Sequence, residues 1–312
     1  MNKLKTMGLT ALAGTLAATT AQSVEMSVSG SVSVNYATDD TTEVTGARLT
    51  TGDSLNFTGS GETDQGWTVT SSIEIDGGTY DDRTLSVNMG DSGTVYFQSS
   101  GAQGTPASLV PNAYGSAGYS LAGSATPTGR HVADGLASGG GSAINLGYTV
   151  SVAGLDISAG MSPGVTGGSD TSVNVKYADL VDGLTVSIGR SDLNPSQAVG
   201  TEETSISASY VMGGLTVGYT NYNQDLDSAG GADHDARHYG ISFAVNENLT
   251  VSYDNSSSDK ATSSVDEETD SIQASYTMGN MKIKAHISKS DNEGYSSGAD
   301  DETKAIDVSW SF

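Results

Sequence analysis

The sequence predicts an all-β protein, specifically a 16-stranded antiparallel transmembrane β-barrel. Apolar and polar residues alternate with a period of two in 16 segments after residue 24, as in strands with one apolar and one wet face. Short turns and long polar loops alternate between these segments, as in outer-membrane barrels. Apolar residues make up only 36% of the 312 residues, too few for a conventional core. A barrel accounts for this share because lipid covers its apolar face while the lumen stays wet.

The composition excludes several other classes of protein. The net charge of −24 argues against nucleic-acid binding, which needs a basic surface. No apolar run approaches the roughly 18 residues of a membrane-spanning helix. The chain has no Cys, which excludes a disulfide scaffold and thiolate metal sites.

The N-terminus has the pattern of a secretory signal peptide. Lys3 and Lys5 precede Gly8–Ala18, a stretch of small and apolar residues that is too short to span a bilayer. Cleavage is expected after Ala21 or Ser23. The alternative is an amphipathic first helix packed on the domain, although the segment has no acidic face. We therefore expect a signal peptide over residues 1–23 and a barrel over residues 24–312.

The first half of the barrel contains strong and weak strand patterns. In the first strand, serines and an asparagine separate Met26, Val28, Val32, Val34 and Tyr36, which therefore share one face. Four later pieces are shorter or less regular. The predicted strands are Met26–Tyr36, Leu55–Gly59, Trp67–Ile75, Leu85–Met89, Val95–Phe97, Ile144–Val150, Leu155–Met161 and Val173–Tyr177.

The second half alternates more regularly. No Asp, Glu, Lys or Arg falls on an apolar column in any segment of either half. The predicted strands are Leu184–Ile188, Ile206–Tyr210, Leu215–Tyr219, Tyr239–Val245, Leu249–Tyr253, Ile272–Met278, Met281–Ile287 and Ile306–Phe312.

The connections indicate which strand ends share a rim. Pairs such as Ala153-Gly154 and Gly213-Gly214 predict tight turns, whereas long polar loops are predicted over 162–170, 191–202, 223–236, 254–267 and 290–302. Four tyrosines stand on the apolar column at the short-turn end of a strand, and would form an aromatic girdle at one membrane interface. They are Tyr148, Tyr177, Tyr210 and Tyr276. The alternative is a secreted β-sandwich, such as an adhesin, whose apolar columns meet between two sheets.

Three stretches resemble Gram-negative general porins, and the alphaproteobacterial branch most closely. Leu55–Gly66 resembles the second strand and first periplasmic turn of that family. Met89–Phe97 resembles its turn between the fourth and fifth strands. Val308–Phe312 resembles its terminal strand, whose final Phe is read by the outer-membrane assembly machinery.

The resemblance implies a location and a function. It implies export through the periplasm to the outer membrane of a Gram-negative bacterium, in contact with lipid and lipopolysaccharide. It further implies a homotrimeric, water-filled channel for passive diffusion of small hydrophilic solutes and ions. A substrate-selective channel is the alternative within this class, because Tyr114 and Tyr119 could supply an aromatic track.

The resemblance also implies a constriction loop. In the family, the loop after the fifth strand folds into the barrel and narrows the pore, and residues 100–142 hold that place. The loop carries Arg130, His131 and Asp134, whereas family loops are often acidic. The alternative is a mobile surface loop.

Strand parity predicts which charged residues line the lumen. Because Met281, Ile283, Ala285 and Ile287 face lipid, the residues between them face inward, and rings of fixed charge bias which solutes pass. The resulting cationic stripe is Lys282, Lys284 and His286. The same count places Arg48, Lys176, Glu74, Asp156 and Asp307 on lumen columns.

The later long loops are acidic. Residues 223–236, 254–270 and 290–302 hold 15 of the 37 acids, with Lys260 as the only Lys or Arg among them. They could bind Ca²⁺ that bridges to lipopolysaccharide phosphates, or they could simply be solvated. The metal-ligand candidates are Asp233, Asp235, Asp266, Glu267 and Glu268.

No catalytic motif points to an enzyme. The sequence has no Gly-x-Ser-x-Gly elbow, phosphate loop or zincin motif. His234 and His238 stand four residues apart, which suggests at most an adventitious metal site. We therefore expect a channel without cofactor.

Overall fold

One closed sheet forms the protein. The computed structural model describes residues 24–40, 45–99, 103–104, 107–114, 145–163, 169–178, 180–193, 201–226 and 232–312. The strands are β1 (Glu25–Asp40), β2 (Thr45–Glu62), β3 (Thr68–Asp76), β4 (Thr79–Asn88), β5 (Thr94–Gln98), β6 (Asn145–Val152), β7 (Leu155–Ser162), β8 (Asp170–Ala178), β9 (Leu184–Leu193), β10 (Thr201–Met212), β11 (Leu215–Leu226), β12 (His234–Ala244), β13 (Leu249–Lys260), β14 (Glu267–Met278), β15 (Met281–Asp291) and β16 (Asp301–Ser311).

Every strand pairs with its sequence neighbours, and β1 also pairs antiparallel with β16. The predicted 16-stranded antiparallel barrel is therefore confirmed, and the sandwich alternative is wrong because the described strands all belong to one closed sheet, with no second sheet among them to pack against. The proposed signal peptide, residues 1–23, lies outside the described residues and stays a prediction. No helix in the described ranges has the length and apolar character needed to cross a membrane.

The barrel is apolar outside and polar inside. Large apolar side chains are exposed on the outer face: Ile272 is 64% exposed, Ile206 61% and Trp310 50%. On the inner face, Ser and Thr predominate among the buried residues of the described strands. This is the reverse of a soluble domain, and it fits a wall with lipid on one side and water on the other.

The strands extend beyond the predicted loop boundaries. The loop expected over 254–267 is only 261–266, because β13 continues to Lys260 and β14 begins at Glu267. The predicted bounds of the loops at 223–236 and 290–302 were wrong in the same way. Both faces of these strand ends are polar, so the alternation disappears while backbone pairing continues. The acids assigned to loops thus lie partly on strands.

Gly30 lies where the last residue closes the barrel. Its N–H donates to the Phe312 carbonyl (3.0 Å), and the Phe312 N–H donates back to the Gly30 carbonyl (2.9 Å). A Cβ on Gly30 would lie 2.7 Å from the Ser54 carbonyl oxygen and 2.8 Å from the Phe312 ring. Since the Ser54 oxygen belongs to a paired strand, it has little freedom to move.

We expect Gly30→Val to destabilise the barrel by about 1–3 kcal/mol, the usual cost of overpacking. The matched control is Gly61→Val on β2, where a Cβ would make an ordinary 3.5 Å contact with Val24. Thermal unfolding in detergent, followed by circular dichroism, measures the effect. Equal melting temperatures for the two variants would contradict the assignment of Gly30 as a closure point.

Candidate functional site

Residues 107–114 lie against the inner wall, and we call them the inner segment. They follow β5, within the loop that was predicted to fold into the lumen. Their hydrogen bonds reach lumen-facing side chains on β10, β11, β13 and β14. The bonds are Ser207 Oγ to Ala107 O (2.6 Å), Ser108 Oγ with Thr220 Oγ1 (3.2 Å), Ala113 N to Ser252 Oγ (2.9 Å) and Tyr114 N to Gln273 Oε1 (3.0 Å). The inner segment therefore crosses five consecutive strands.

Two glycines on the wall make room for the inner segment. A Cβ on Gly218 would lie 2.6 Å from the Leu109 carbonyl oxygen, and one on Gly240 would lie 2.6 Å from a Val110 methyl carbon. Both distances are shorter than ordinary carbon contacts. The backbone of the segment thus lies directly on β11, and the Val110 side chain lies directly on β12.

Tyr114 ends the inner segment with contacts to three further wall residues. Its ring meets the His286 ring edge-on, with centroids 4.4 Å apart. Lys284 Nζ lies 5.2 Å from the ring centroid, within the range of a cation–π interaction. The hydroxyl accepts a hydrogen bond from Asn35 Nδ2 (3.3 Å) on β1. Tyr114 therefore connects the inner segment to β15 and β1.

Buried polar side chains position the acceptor of the Tyr114 N–H. Gln273 Oε1 also accepts from Ser252 Oγ (3.2 Å), while Gln273 Nε2 donates to Asp254 and to Ser271 Oγ (3.0 Å). Asp254 Oδ1 lies 3.5 Å from His238 Nε2, and both side chains are buried. Because these groups fix the Gln273 amide, its oxygen points at the inner segment.

The structure places the predicted cationic stripe on one inner column. Lys282 pairs with Ser309, Lys284 with Asp307, and His286 with Ala305, whose side chain is buried in the interior. Lys282 is exposed to the lumen, whereas His286 is buried beneath Tyr114. The stripe is thus divided between an exposed lysine, Lys282, and two residues in contact with the inner segment.

Asp307, the register partner of Lys284, lies beside this stripe, whereas Arg48, Glu74, Lys176 and Asp156 lie elsewhere on the wall. Arg48 pairs with Ala37, and Glu74 accepts a hydrogen bond from Ser54 on the open β1–β3 side. Lys176 and Asp156 form an ion pair of 3.3 Å near the short turn between β6 and β7. Arg130, His131 and Asp134 lie outside the described residues, so their part in a constriction stays a prediction, as does the in-folding of the whole loop 100–142.

The burial of the inner side chains differs around the circumference of the barrel. Within the described residues, fully buried inner side chains are concentrated on β8–β16, where the inner segment lies. Inner residues of β1–β5 are mostly exposed or half-buried. Among the described residues, the inner segment therefore covers the wall at β10–β14 and leaves the inner face of β1–β5 uncovered.

A second aromatic residue, which was not singled out from the sequence, lies at the end of the barrel that carries the long loops. Tyr295 follows β15 in a short 3₁₀ helix (Glu293–Tyr295), and its hydroxyl contacts Ser258 Oγ (2.6 Å) and His234 Nδ1 (3.0 Å). Lys260 Nζ lies 5.4 Å from its ring centroid. Burial raises the pKa of the Tyr295 phenol. The β15–β16 connection therefore covers the mouth above β12 and β13.

The metal-ligand candidates point in different directions. Asp233 accepts a hydrogen bond from the Leu226 N–H (3.0 Å), and Glu267 is buried on the inner face, where it accepts from the Gly294 N–H (3.0 Å). Glu268 alternates to the exposed face, as does Asp235, while Asp266 precedes β14. In the described part of the chain, no group of three or more His, Asp or Glu side chains converges on a point. Ca²⁺ binding stays a prediction.

Charged residues also occur on the outer face above the apolar band. Lys289 and Lys304 both contact Glu302, the former at 3.1 Å, and Arg190 contacts Glu202 at 2.7 Å. The two lysine side chains are 66% and 55% exposed. Lys289 lies on the same strand as Lys282 and Lys284 but on the opposite face.

Comparison with known proteins agrees with this geometry. A family model described as Gram-negative porin matches residues 8–312. No curated protein sequence matches the chain.

Solved structures of porins share the fold at low sequence identity. An anion-selective porin from Comamonas acidovorans has a TM-score of 0.68 at 14% identity, covering 93% of this chain and all of its own. A triple mutant of Rhodopseudomonas blastica porin scores 0.66 at 16% identity and covers 92% of this chain and 100% of that one. OmpT of Vibrio cholerae in its trimer form scores 0.67 at 13% identity, with coverage of 93% and 100%.

Proposed function

The chain belongs to the Gram-negative porin family and is a channel of the outer membrane; from this premise we propose that it passes small hydrophilic solutes and ions by passive diffusion. The closed barrel with a polar inner wall carries the proposal. A barrel of 16 strands is wide enough to leave an aqueous passage. Solutes move down their gradients, and no reaction is catalysed.

The inner segment supports a size limit on diffusion. It removes part of the lumen by lying across β10–β14, and it holds Tyr114 beside Lys284. A solute must then pass between this segment and the open wall of β1–β5. Lys282 and Lys284 give the β15 side of the passage a positive field, which biases the entry of ions.

We propose that the protein assembles as a homotrimer through the outer faces of β1–β3. The Vibrio cholerae neighbour is known in a trimer form. Gly59 and Ser71 are small outward-facing residues that the register sets side by side, where an added Gly59 Cβ would lie 3.4 Å from Ser71 Oγ. Small residues allow two barrel walls to approach closely.

Planar-bilayer recording of detergent-extracted mature protein tests the channel. We expect conductance to rise in groups of three steps, and liposome permeation to fall as the solute becomes larger. A protein that stays soluble without detergent and gives no conductance would refute the proposal. Single steps with normal conductance would refute the trimer alone.

A further inference from the structure

The periplasmic half of the lumen contains a cavity of about 620 Å³ beneath the inner segment. Its wall is formed by residues of β6–β8, its floor by the β4–β5 turn at Gly90–Gly93, which includes Asp91, and its roof by Ala107 and Leu109. The floor is held in place because Tyr148 donates a hydrogen bond to the Ser92 carbonyl (2.6 Å). The cavity is thus a fixed recess beside the passage.

We propose that this cavity binds small zwitterionic solutes that carry one ammonium, one carboxylate and a short apolar group, namely neutral α-amino acids. The inference rests on the proposed channel function and specifies a substrate class for it. Three properties of the lining support it: the Lys176–Asp156 pair of opposite charges, with Asp91 as a further acid in the floor, the amide of Asn174 and an apolar roof.

The charges are Lys176 and Asp156, 3.3 Å apart on neighbouring strands β8 and β7. Their side chains are 42% and 48% exposed, so each keeps a face open to the cavity. Ser151 Oγ donates to Asp156 (2.6 Å), which fixes the carboxylate. The lysine ammonium has three donors and the aspartate several lone pairs, so each can take a second partner of opposite charge.

A zwitterion fits this pair better than a singly charged solute. Its carboxylate binds Lys176 and its ammonium binds Asp156, so the four charges alternate in sign, and the bound solute adds no net charge to a cavity that already has one excess acid, Asp91. A lone anion binds Lys176 but is repelled by Asp156 and Asp91, and a lone cation binds the acids but leaves Lys176 without a solute partner.

Asn174 adds a neutral donor. Its Oδ1 accepts a hydrogen bond from Ser187 Oγ (2.9 Å), which orients the two Nδ2 donors away from β9. Asn174 lines the cavity next to Lys176. A carboxylate bound to the lysine therefore lies within reach of a second donor.

Leu109 supplies the apolar contact. It belongs to the inner segment, which is attached to the wall by Ser108 and by the Leu109 N–H to Thr220 Oγ1 (3.4 Å). The cavity is large enough for an amino acid and several water molecules, so binding is weak. Weak binding suits a channel, because a solute must leave the site to cross the membrane.

L-Leucine tests the site in planar bilayers of the full-length mature protein. We expect it to reduce single-channel KCl conductance with a half-maximal effect at millimolar concentration. Isoamylamine and 4-methylpentanoate, which each lack one of its charges, should bind roughly tenfold more weakly, since each loses one charge-assisted contact. Lys176→Met should abolish the leucine effect, and Asp156→Asn should do so if Lys176→Met fails to fold.

Lys282→Met is the matched control, because Lys282 is a lumen lysine outside the cavity; it should keep the leucine effect. If the channels conduct but leucine leaves their conductance unchanged, or reduces it equally in Lys176→Met, the proposed site is wrong. The channel function would still stand. If no variant conducts, the channel proposal fails. Saturation-transfer NMR with L-leucine on the detergent-solubilised protein then decides the site separately, by a signal that Lys176→Met either removes or retains.

Discussion

Replacing Lys282 and Lys284 together by Glu is expected to shift the zero-current potential under a KCl gradient strongly toward cation selectivity. The substitution turns two positive charges on the inner face of β15 into two negative ones. Fixed charges in a lumen with low-dielectric walls produce potentials of several kT, so the shift should be on the order of tens of millivolts. It should shrink as the salt concentration rises, because exposed charges are screened.

The matched control is the double substitution of Lys289 and Lys304 by Glu. It makes the same change of charge at the same end of the sequence, but on the outer face of β15 and β16. We expect a shift several times smaller there, because the wall and the lipid separate these residues from the lumen. Equal shifts in the two variants would mean that overall charge, and not the inner column, determines selectivity.

These lysines illustrate how far the sequence predicts the structure. Lys284 and Lys289 are five residues apart on one strand, and their opposite faces follow from parity alone once the apolar column of β15 is recognised. The same reasoning located all 16 strands, because every strand had to present an apolar column to lipid. Contact with lipid thus imposes the alternation of apolar and polar residues from which the fold can be predicted.

Where that constraint ends, the sequence predicted less. Beyond the apolar band both strand faces meet water, so β13 and β14 were cut short at Tyr253 and Ile272 although pairing continues through Ser258 and Glu267. The site on the barrel wall that holds the inner segment was also not predicted from the sequence. It consists of Ser, Thr, Gln and Gly on lumen columns, and these residue types are common along every strand. One possible signal was the pair of glycines, Gly218 and Gly240, which lie opposite each other on neighbouring strands and leave room for a long loop. That pairing is known only from the register of the strands in the structure.

Truncating Tyr114 to Ala is expected to increase single-channel conductance and open-channel noise. Tyr114 is 8% exposed and joins the inner segment to His286, Lys284 and Asn35. Removing a buried aromatic side chain costs about 3 kcal/mol or more, which corresponds to a factor of about 100 in the equilibrium between attached and detached states of the chain at position 114. The chain at this position should therefore leave the wall more often, and the lost ring itself widens the passage.

The control for this variant is Tyr36→Ala, which removes an equal side chain from the outer face of β1, where Tyr36 is 47% exposed. Tyr36 is next to Asn35, the residue that bonds Tyr114, so both variants perturb the same region of the barrel. Conductance and noise should stay normal in Tyr36→Ala. Tyr114→Ala should in addition expose Lys284, whose ammonium no longer lies over a ring, and so increase anion permeability. A Tyr114→Ala channel that is quiet and unchanged in conductance would show that the inner segment is held without Tyr114, and that the narrowest point lies elsewhere.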